Sequence, residues 1–314
     1  MTAPAPAKQP PRRVPKLHDR AEYVAWRAIV GLVSLIPWRT ASALGASLGK
    51  LGYRPFRIRR RVVEHQIAAA LPDVADNERR RIAVGAYAHL GRVAIESARV
   101  SHMTPGSALA LFHEPSGWEH VARATAEGRG AIVVSGHLGN WELGLAYLAA
   151  RGKRVSAVAR QMGNPLFDQY VTQARMRLGL NIIPDREAVR RLPRCIDEGD
   201  LVPMLADQGV KGLASIFVPF FGRDARTPKG PAVLALRLDA PCLFMVVPRE
   251  SDGRYRTYFE SIPLVSTGDR ERDVRAIVTE YTARLEHWVR KYPDQYLWQH
   301  RRWRRRPDGT SEDV

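Results

Sequence analysis

Acidic residues are the conspicuous shortage in this chain of 314 residues: 32 Asp and Glu stand against 49 Lys and Arg, a formal net charge of +17. An imbalance of that size implies an anionic partner, whether nucleic acid, an acidic membrane surface or an acidic carrier protein. Much of the excess is arginine, in residues 57–61, 79–81 and 301–306. Cysteine is nearly absent. Cys195 and Cys242 have no metal-ligand spacing and no disulfide framework, which fits a reducing, cytoplasm-facing location and gives no reason to expect a metal. Long apolar runs are missing too. The most apolar stretch, residues 28–37, is closed by Pro37, Trp38 and Arg39 and falls well short of the roughly 20 residues of a spanning helix. No Gly-x-Ser-x-Gly elbow is read in the chain, which counts against a serine hydrolase; His-Glu-x-x-His and a P-loop are not read either. The apolar fraction of 45% still supports a real core.

What is present centres on residues 131–144. The β-branched run Ile132, Val133, Val134 reads as a buried strand, Gly136 as the exit, and Asn140 as the cap of a helix starting near Trp141. His137 stands at the strand end with Glu142 five residues on, a pairing suited to acid–base work. Within one helix such residues point apart, so they meet only if His137 precedes the helix and Glu142 sits in its first turn. By spacing alone, a surface turn fits as well.

The rest of the pattern alternates helices and strands. Residues 1–19 read as a disordered basic arm and 308–314 as a disordered tail. Residues 20–60 suit a cleaved signal, a buried helix or an interfacial helix pair, and the last is preferred, with Trp26 and Trp38 at headgroup level and Arg27 and Arg39 facing lipid phosphate. Helices are expected over 77–100, 118–126, 143–149, 166–178, 186–198, 228–238 and 272–291. Strands are expected over 154–159, 181–184, 201–206 and 241–247, with an antiparallel edge strand over 255–262. This order predicts an α/β fold around a mixed, mainly parallel sheet flanked by helices. Thr227 is expected to cap the helix from Pro228, where free N–H groups and Lys229 make an anion site. Phe217, Phe220 and Phe221 suit either an acyl pocket or plain core.

Several blocks carry a resemblance. Gly136-His137-Leu138-Gly139-Asn140-Trp141-Glu142-Leu143 is similar to the first block of the bacterial lipid A late acyltransferases, the lauroyl and myristoyl transferases of the glycerolipid (lysophospholipid) acyltransferase superfamily, a family that also holds the phosphatidylinositol mannoside acyltransferases. Arg160 before Asn164-Pro165-Leu166 resembles the second block, residues 215–222 with 227–231 the third, and residues 292–303 the fourth; Asp207-Gln208 after a strand also resembles the family. The resemblance covers roughly residues 23–307 and implies one acyltransferase domain over 20–307 with a membrane-associated helical segment at 20–60. It implies acyl transfer at the cytoplasmic face of the inner membrane, from acyl carrier protein or acyl-CoA to a glycolipid hydroxyl, with no other cofactor. A lipid A precursor is the first expectation for the acceptor and a phosphatidylinositol mannoside, with acyl-CoA, the alternative. The catalytic residues implied are His137 as general base, Glu142 as its orienting acid and Arg160. Gly139, Asn140, Asn164, Asp207 and Lys229 are the expected substrate contacts, with backbone N–H groups near Gly139 and Asn140 as oxyanion donors. Interleaved Trp and Arg in 292–303 suit a headgroup zone. They also suit stacking on nucleic acid, but no RNA- or DNA-binding module is present and no specific nucleic acid is expected.

Overall fold

A computed structural model describes residues 14–209 and 212–311 of the chain; most of the expected arm and residues 312–314 of the tail lie outside these. Four helices lead: α1 (Leu17–Ser34), α2 (Trp38–Tyr53), α3 (Arg60–Ala70) and α4 (Asp76–Arg99), with α1 already beginning inside the stretch expected to be an arm. Two short helices follow, α5 (Pro105–Leu109) and α6 (Trp118–Ala124). Then come β1 (Ala131–Ser135), α7 (Trp141–Ala150), β2 (Val155–Ala159), α8 (Pro165–Arg177), β3 (Leu180–Pro184), α9 (Ala188–Asp197) and β4 (Leu201–Leu205). A hairpin of β5 (Ser215–Phe220) and β6 (Arg223–Pro228) precedes α10 (Gly230–Leu238), β7 (Cys242–Val246), β8 (Tyr258–Ile262) and α11 (Arg270–Lys291).

The six-stranded sheet has the order β3-β2-β4-β1-β7-β8. All its pairings are parallel except the edge strand β8, which runs antiparallel to β7. This is the expected mixed, mainly parallel α/β architecture. Every residue of β1 is buried, because both faces are covered. Ala131 and Val133 pack with Leu143, Ala146 and Tyr147 of α7, while Ile132 and Val134 pack with Ala235 of α10 and Ile277, Val278 and Leu285 of α11. From β1 the chain crosses through α7 to β2, beyond β4; from β4 it crosses through the hairpin and α10 to β7, on the other side of β1. Connections therefore part between β1 and β4, and a crevice at the carboxyl ends of those two strands is the usual α/β binding place.

Three local readings are corrected. Residues 45–49 do spell Gly-x-Ser-x-Gly, but inside α2, where Ser47 Oγ donates to the Ala43 carbonyl. The glycines let two backbones touch. A methyl on Gly49 would lie 2.0 Å from the Tyr87 carbonyl oxygen, and one on Gly91 2.0 Å from that of Gly45. Thr227 does not cap α10, since its hydroxyl donates to the Ala225 carbonyl and the helix begins after Lys229. The 292–303 segment is largely interior: Trp298 is fully buried and Arg302 and Trp303 nearly so. Gln66 of α3 clamps it, donating to the carbonyls of Trp298 (2.6 Å) and His300 (2.7 Å) and accepting from Arg302 N (2.6 Å).

At the N-terminal end, the tryptophans expected at headgroup level are turned inward. Trp26 meets Phe167 edge-on, and Trp38 lies under the Arg99 guanidinium. The outward residues are aliphatic: Leu17, Val24, Leu32 and Leu35 line one side of α1 and its end, and Leu44, Leu48 and Leu51 one side of α2. No helix among the described residues is long and apolar enough to cross a membrane.

The α2–α4 contact has no room for a side chain. Gly91→Ala is expected to destabilise the fold by about 1–3 kcal/mol, with the two helices forced apart; denaturant unfolding measures this, and an unchanged midpoint would contradict the close backbone approach.

Candidate active site

Register assembles the site. Ser135 of β1 is paired with Leu205 of β4, so the residues two further along each strand, His137 and Asp207, leave the sheet side by side. Asp207 accepts twice from the same residue: its Oδ1 lies 2.7 Å from His137 Nδ1 and its Oδ2 takes the His137 backbone N–H at 2.9 Å. Two bonds fix both the ring and the turn beneath it. With Nδ1 donating to the carboxylate, Nε2 is left as the basic nitrogen. The Gln208 amide stands 3.3 Å from Nδ1, and Trp141 meets the ring edge-on.

The pair is nearly dry, with side-chain exposures of 16% for His137 and 2% for Asp207. Burial alone would lower the imidazole pKa. The charge and hydrogen bond of Asp207, and more weakly the charge of Glu142, outweigh it and leave the pKa raised. Burial likewise works against the Asp207 carboxylate, but His137 and the guanidinium of Arg302 hold its pKa down at about 2. Arg302 donates to the Arg226 carbonyl and to Thr227 Oγ1, both at 2.6 Å. Tyr296 lies against Asp207 and Arg302, and its burial keeps the phenol protonated. The tail also bonds the histidine turn directly, through Leu297 N to His137 O (3.0 Å) and Gly139 N to Gln295 O (3.1 Å).

The structure separates the other sequence candidates. Glu142, expected to orient the imidazole, is held instead by a two-pronged contact from Arg175, with Nη2 to Oε1 at 2.7 Å and Nε to Oε2 at 3.3 Å. It acts on His137 as a nearby charge, while Asp207 has the hydrogen bond. Gly139 and Asn140 do not offer free N–H groups, because these donate to Gln295 O and Val247 O. Gly139 has φ +65°, and a Cβ there would strike the Val247 carbonyl, so glycine is required by the bend. Asn140 is fully buried and caps α7 through Leu143 N, as expected, while its amide donates to Glu96 Oε2 at 2.8 Å. Tyr255 donates to the same oxygen of Glu96. Asn164 caps α8 and ties it to α1 through the Asp19 carbonyl and Glu22. Arg160 stands exposed just past β2, at the same edge of the sheet, with no side-chain partner among the described residues. Lys229 is half-buried at the start of α10, whose first residue, Gly230, faces Met204 of β4. Phe220 and Phe221 are core, packed on Trp303 and Trp298, and Phe217 is half-buried.

Arg175, Arg302, Tyr296 and Glu96 were not singled out from sequence. Each acts across more than 30 positions; Tyr296 and Arg302 fall inside the fourth block, 292–303, but nothing local to them assigns either a role. The larger of two described cavities, about 470 Å³, is lined by His113, Glu250, Asp252, Arg256 and Tyr258 among others, and is distinct from the His137–Asp207 pair. No cluster of metal-ligating side chains occurs among the described residues.

A histidine held by a buried carboxylate at the carboxyl edge of an α/β sheet is an arrangement suited to general acid–base chemistry. The chain belongs to the bacterial lipid A biosynthesis acyltransferase family, whose sequence signature matches residues 11–305, and it is an acyltransferase. It is 28% identical to the lipid A biosynthesis lauroyltransferase of Escherichia coli (strain K12) over 298 residues, covering 94% of this chain and 95% of that one. It is 26% identical to the palmitoleoyltransferase of lipid A biosynthesis from the same organism, with the same coverage. A phosphatidylinositol mannoside acyltransferase of Mycolicibacterium smegmatis is 22% identical over 274 residues, 85% of this chain and 86% of its own.

The pair has a defined pH window. His137's raised pKa contributes stability that is complete below 6.5, its ordinary value, and is lost as pH rises through the folded value. Asp207's depressed pKa contributes stability that is complete above 3.8 and is lost as pH falls toward about 2. In Asp207→Asn the imidazole pKa is expected to fall below its ordinary value, because burial then acts without the counter-charge. Proton NMR of the ring reads this directly, and an unshifted titration would disprove the pairing.

Proposed function

We propose that this protein moves a fatty acyl chain from a thioester donor, acyl carrier protein or acyl-CoA, to a hydroxyl of a membrane glycolipid, with a lipid A precursor as the acceptor. The His137–Asp207 pair carries the reading. His137 Nε2 takes the proton of the acceptor hydroxyl, the oxygen attacks the thioester carbonyl, and the C–S bond breaks as the leaving thiolate takes that proton from the imidazolium; no acyl-enzyme is formed. Asp207 fixes the ring and stabilises the imidazolium, the part first assigned to Glu142. Glu142, clamped by Arg175, adds a second negative charge that favours the same cation. Arg160 is the guanidinium free to meet developing oxyanion charge or a phosphate. Lys229, at the start of α10 beside β4, adds positive charge for the substrate.

Support for the acceptor class comes from the relatives, which are lipid A and phosphatidylinositol mannoside acyltransferases. The mycobacterial likeness keeps a phosphatidylinositol mannoside acceptor with acyl-CoA as the second reading. Support for membrane association comes from the aliphatic sides of α1 and α2 beside the basic turn at 54–61, where Phe56 and Ile58 also stand exposed. Apolar side chains interleaved with arginine suit a monotopic seat on an anionic leaflet, at the cytoplasmic face of the inner membrane.

The test is a transfer assay in detergent with acyl carrier protein and CoA thioesters offered separately to lipid A precursors and mannosylated phosphatidylinositol, with products read by mass spectrometry. His137→Ala is expected to cost roughly 10²–10⁴-fold in rate; Asp207→Asn falls with it, and Glu142→Gln loses less than Asp207→Asn. The wild-type rate rises with pH through the raised histidine pKa, since the base must be neutral. A His137→Ala enzyme at full rate would end the proposal. Separately, Leu32→Glu with Leu35→Glu is expected to release the protein from anionic vesicles in a flotation assay; vesicle binding unchanged by both charges would remove the seat on α1.

A further inference from the structure

Among the described residues five acids are buried: Asp19, Glu96, Asp200, Asp207 and Asp273. Four have the kind of partner a buried carboxylate needs. Asp200 meets the Arg154 guanidinium and Asp207 the His137 imidazole. Asp19 and Asp273, in the first turns of α1 and α11, accept backbone N–H groups from Lys16 and Thr267. Glu96, on α4 and 1% exposed, forms no ion pair and takes no backbone N–H. Its Oε2 accepts twice, from Asn140 Nδ2 at 2.8 Å and from the Tyr255 hydroxyl. Its Oε1 is shut off from solvent without a partner. A buried acceptor with one idle oxygen adds little stability, because its desolvation stands against the two bonds it makes. What it does impose is orientation.

The group it orients is the Asn140 amide. The amide oxygen accepts from Leu143 N at 3.1 Å and so caps α7, which turns the amide nitrogen toward α4. That nitrogen needs an acceptor, and Asn140 is fully buried, so no bulk water can stand in for Glu96 Oε2. The main chain here is held as well, with Gly139 N donating to the Gln295 carbonyl and Asn140 N to the Val247 carbonyl. The next two residues, the first of α7, reach the imidazole. Trp141 meets the His137 ring edge-on with centroids 4.8 Å apart, and Glu142 is its nearby charge. What lies against the ring therefore depends on how the first turn of α7 is set. Glu96 links that turn to α4 and, through the fully buried Tyr255, to the segment between β7 and β8.

We propose that Glu96 is a positioning residue: by orienting the Asn140 amide it holds the first turn of α7, and with it Trp141, against the His137 imidazole. The inference rests on the acyltransferase reading for the rate that falls when the link is cut, but not for the geometry of the ring.

Rate and ring geometry are accordingly read separately. Acyl transfer is measured for the wild type, Glu96→Leu, Glu96→Gln and Asn140→Ser. The His137 ring protons, which lie beside the Trp141 ring current, are followed by proton NMR in the same proteins. Glu96→Leu is expected to lose roughly 10–10²-fold in kcat with KM little changed, and to move the His137 resonances. Glu96→Gln keeps an oxygen for both donors and returns rate and resonances close to wild type. Asn140→Ser still offers α7 a cap but has no amide to meet Glu96, and it reproduces the Glu96→Leu pattern. Combined, the two lose no more than the worse single variant. Should Glu96→Leu fail to fold, Asn140→Ser decides. A purely structural role would lower the melting midpoint of Glu96→Leu while kcat and resonances of the folded protein stay at wild-type values, and that result overturns the proposal. Additive losses overturn it too, as does a Glu96→Gln variant that falls as far as Glu96→Leu. If the wild type transfers no acyl chain to any acceptor, the acyltransferase reading fails alone, and the resonances still decide the positioning.

Discussion

A carboxylate 2% exposed cannot stay charged in a protein interior without compensation, and Asp207 is the residue on which the site turns. Its compensation comes from two directions. His137 supplies two hydrogen bonds from the neighbouring strand, and Arg302 supplies a buried guanidinium from the far end of the chain. The imidazole gains its orientation from the same contact that makes the carboxylate tolerable. Removing either side leaves the other as an unpaired buried charge, so the geometry of the imidazole and the integrity of this corner of the fold cannot be varied separately.

The supporting layer extends that coupling outward. Glu96, on α4, takes the amide of Asn140, the residue that caps α7 and ends the histidine turn. The same helix touches α2 backbone to backbone through Gly45, Gly49 and Gly91. The surface proposed to meet lipid and the turn bearing His137 are thus joined through one helix, α4, which meets α2 with no side chain between their glycines.

Much of the fold was legible because β-branched runs and amphipathic periods are local. β1, β4, β7, α4 and α11 fall within a few residues of where the pattern puts them, and β8 is the antiparallel edge expected. The β5–β6 hairpin was missed, since Pro219 and Pro228 disfavour reading either run as a strand. The site was half legible. His137 and the Asn140 cap follow from the strand–turn–helix signal, but the partner of the imidazole lies 70 positions away, and only the parallel register of β1 with β4 brings it near. Proximity in sequence favoured Glu142, which the fold gives to Arg175. The tail was misjudged for a different reason. Tryptophan and arginine interleave in the same way on a lipid surface and in a wet-edged core, and composition does not distinguish a solvated guanidinium from one buried against Thr227 and Asp207.

The clamp of Gln66 on residues 298–302 has a consequence for the order of events in biosynthesis. The strands that carry His137 and Asp207 leave the ribosome well before Arg302 does. Until that late segment threads back beneath α3, Asp207 lacks its second counter-charge and the histidine turn lacks its bonds to Gln295 and Leu297. Residues 298–302 follow every strand of the sheet in the sequence, so the corner at His137 and Asp207 is complete only once that segment lies beneath α3.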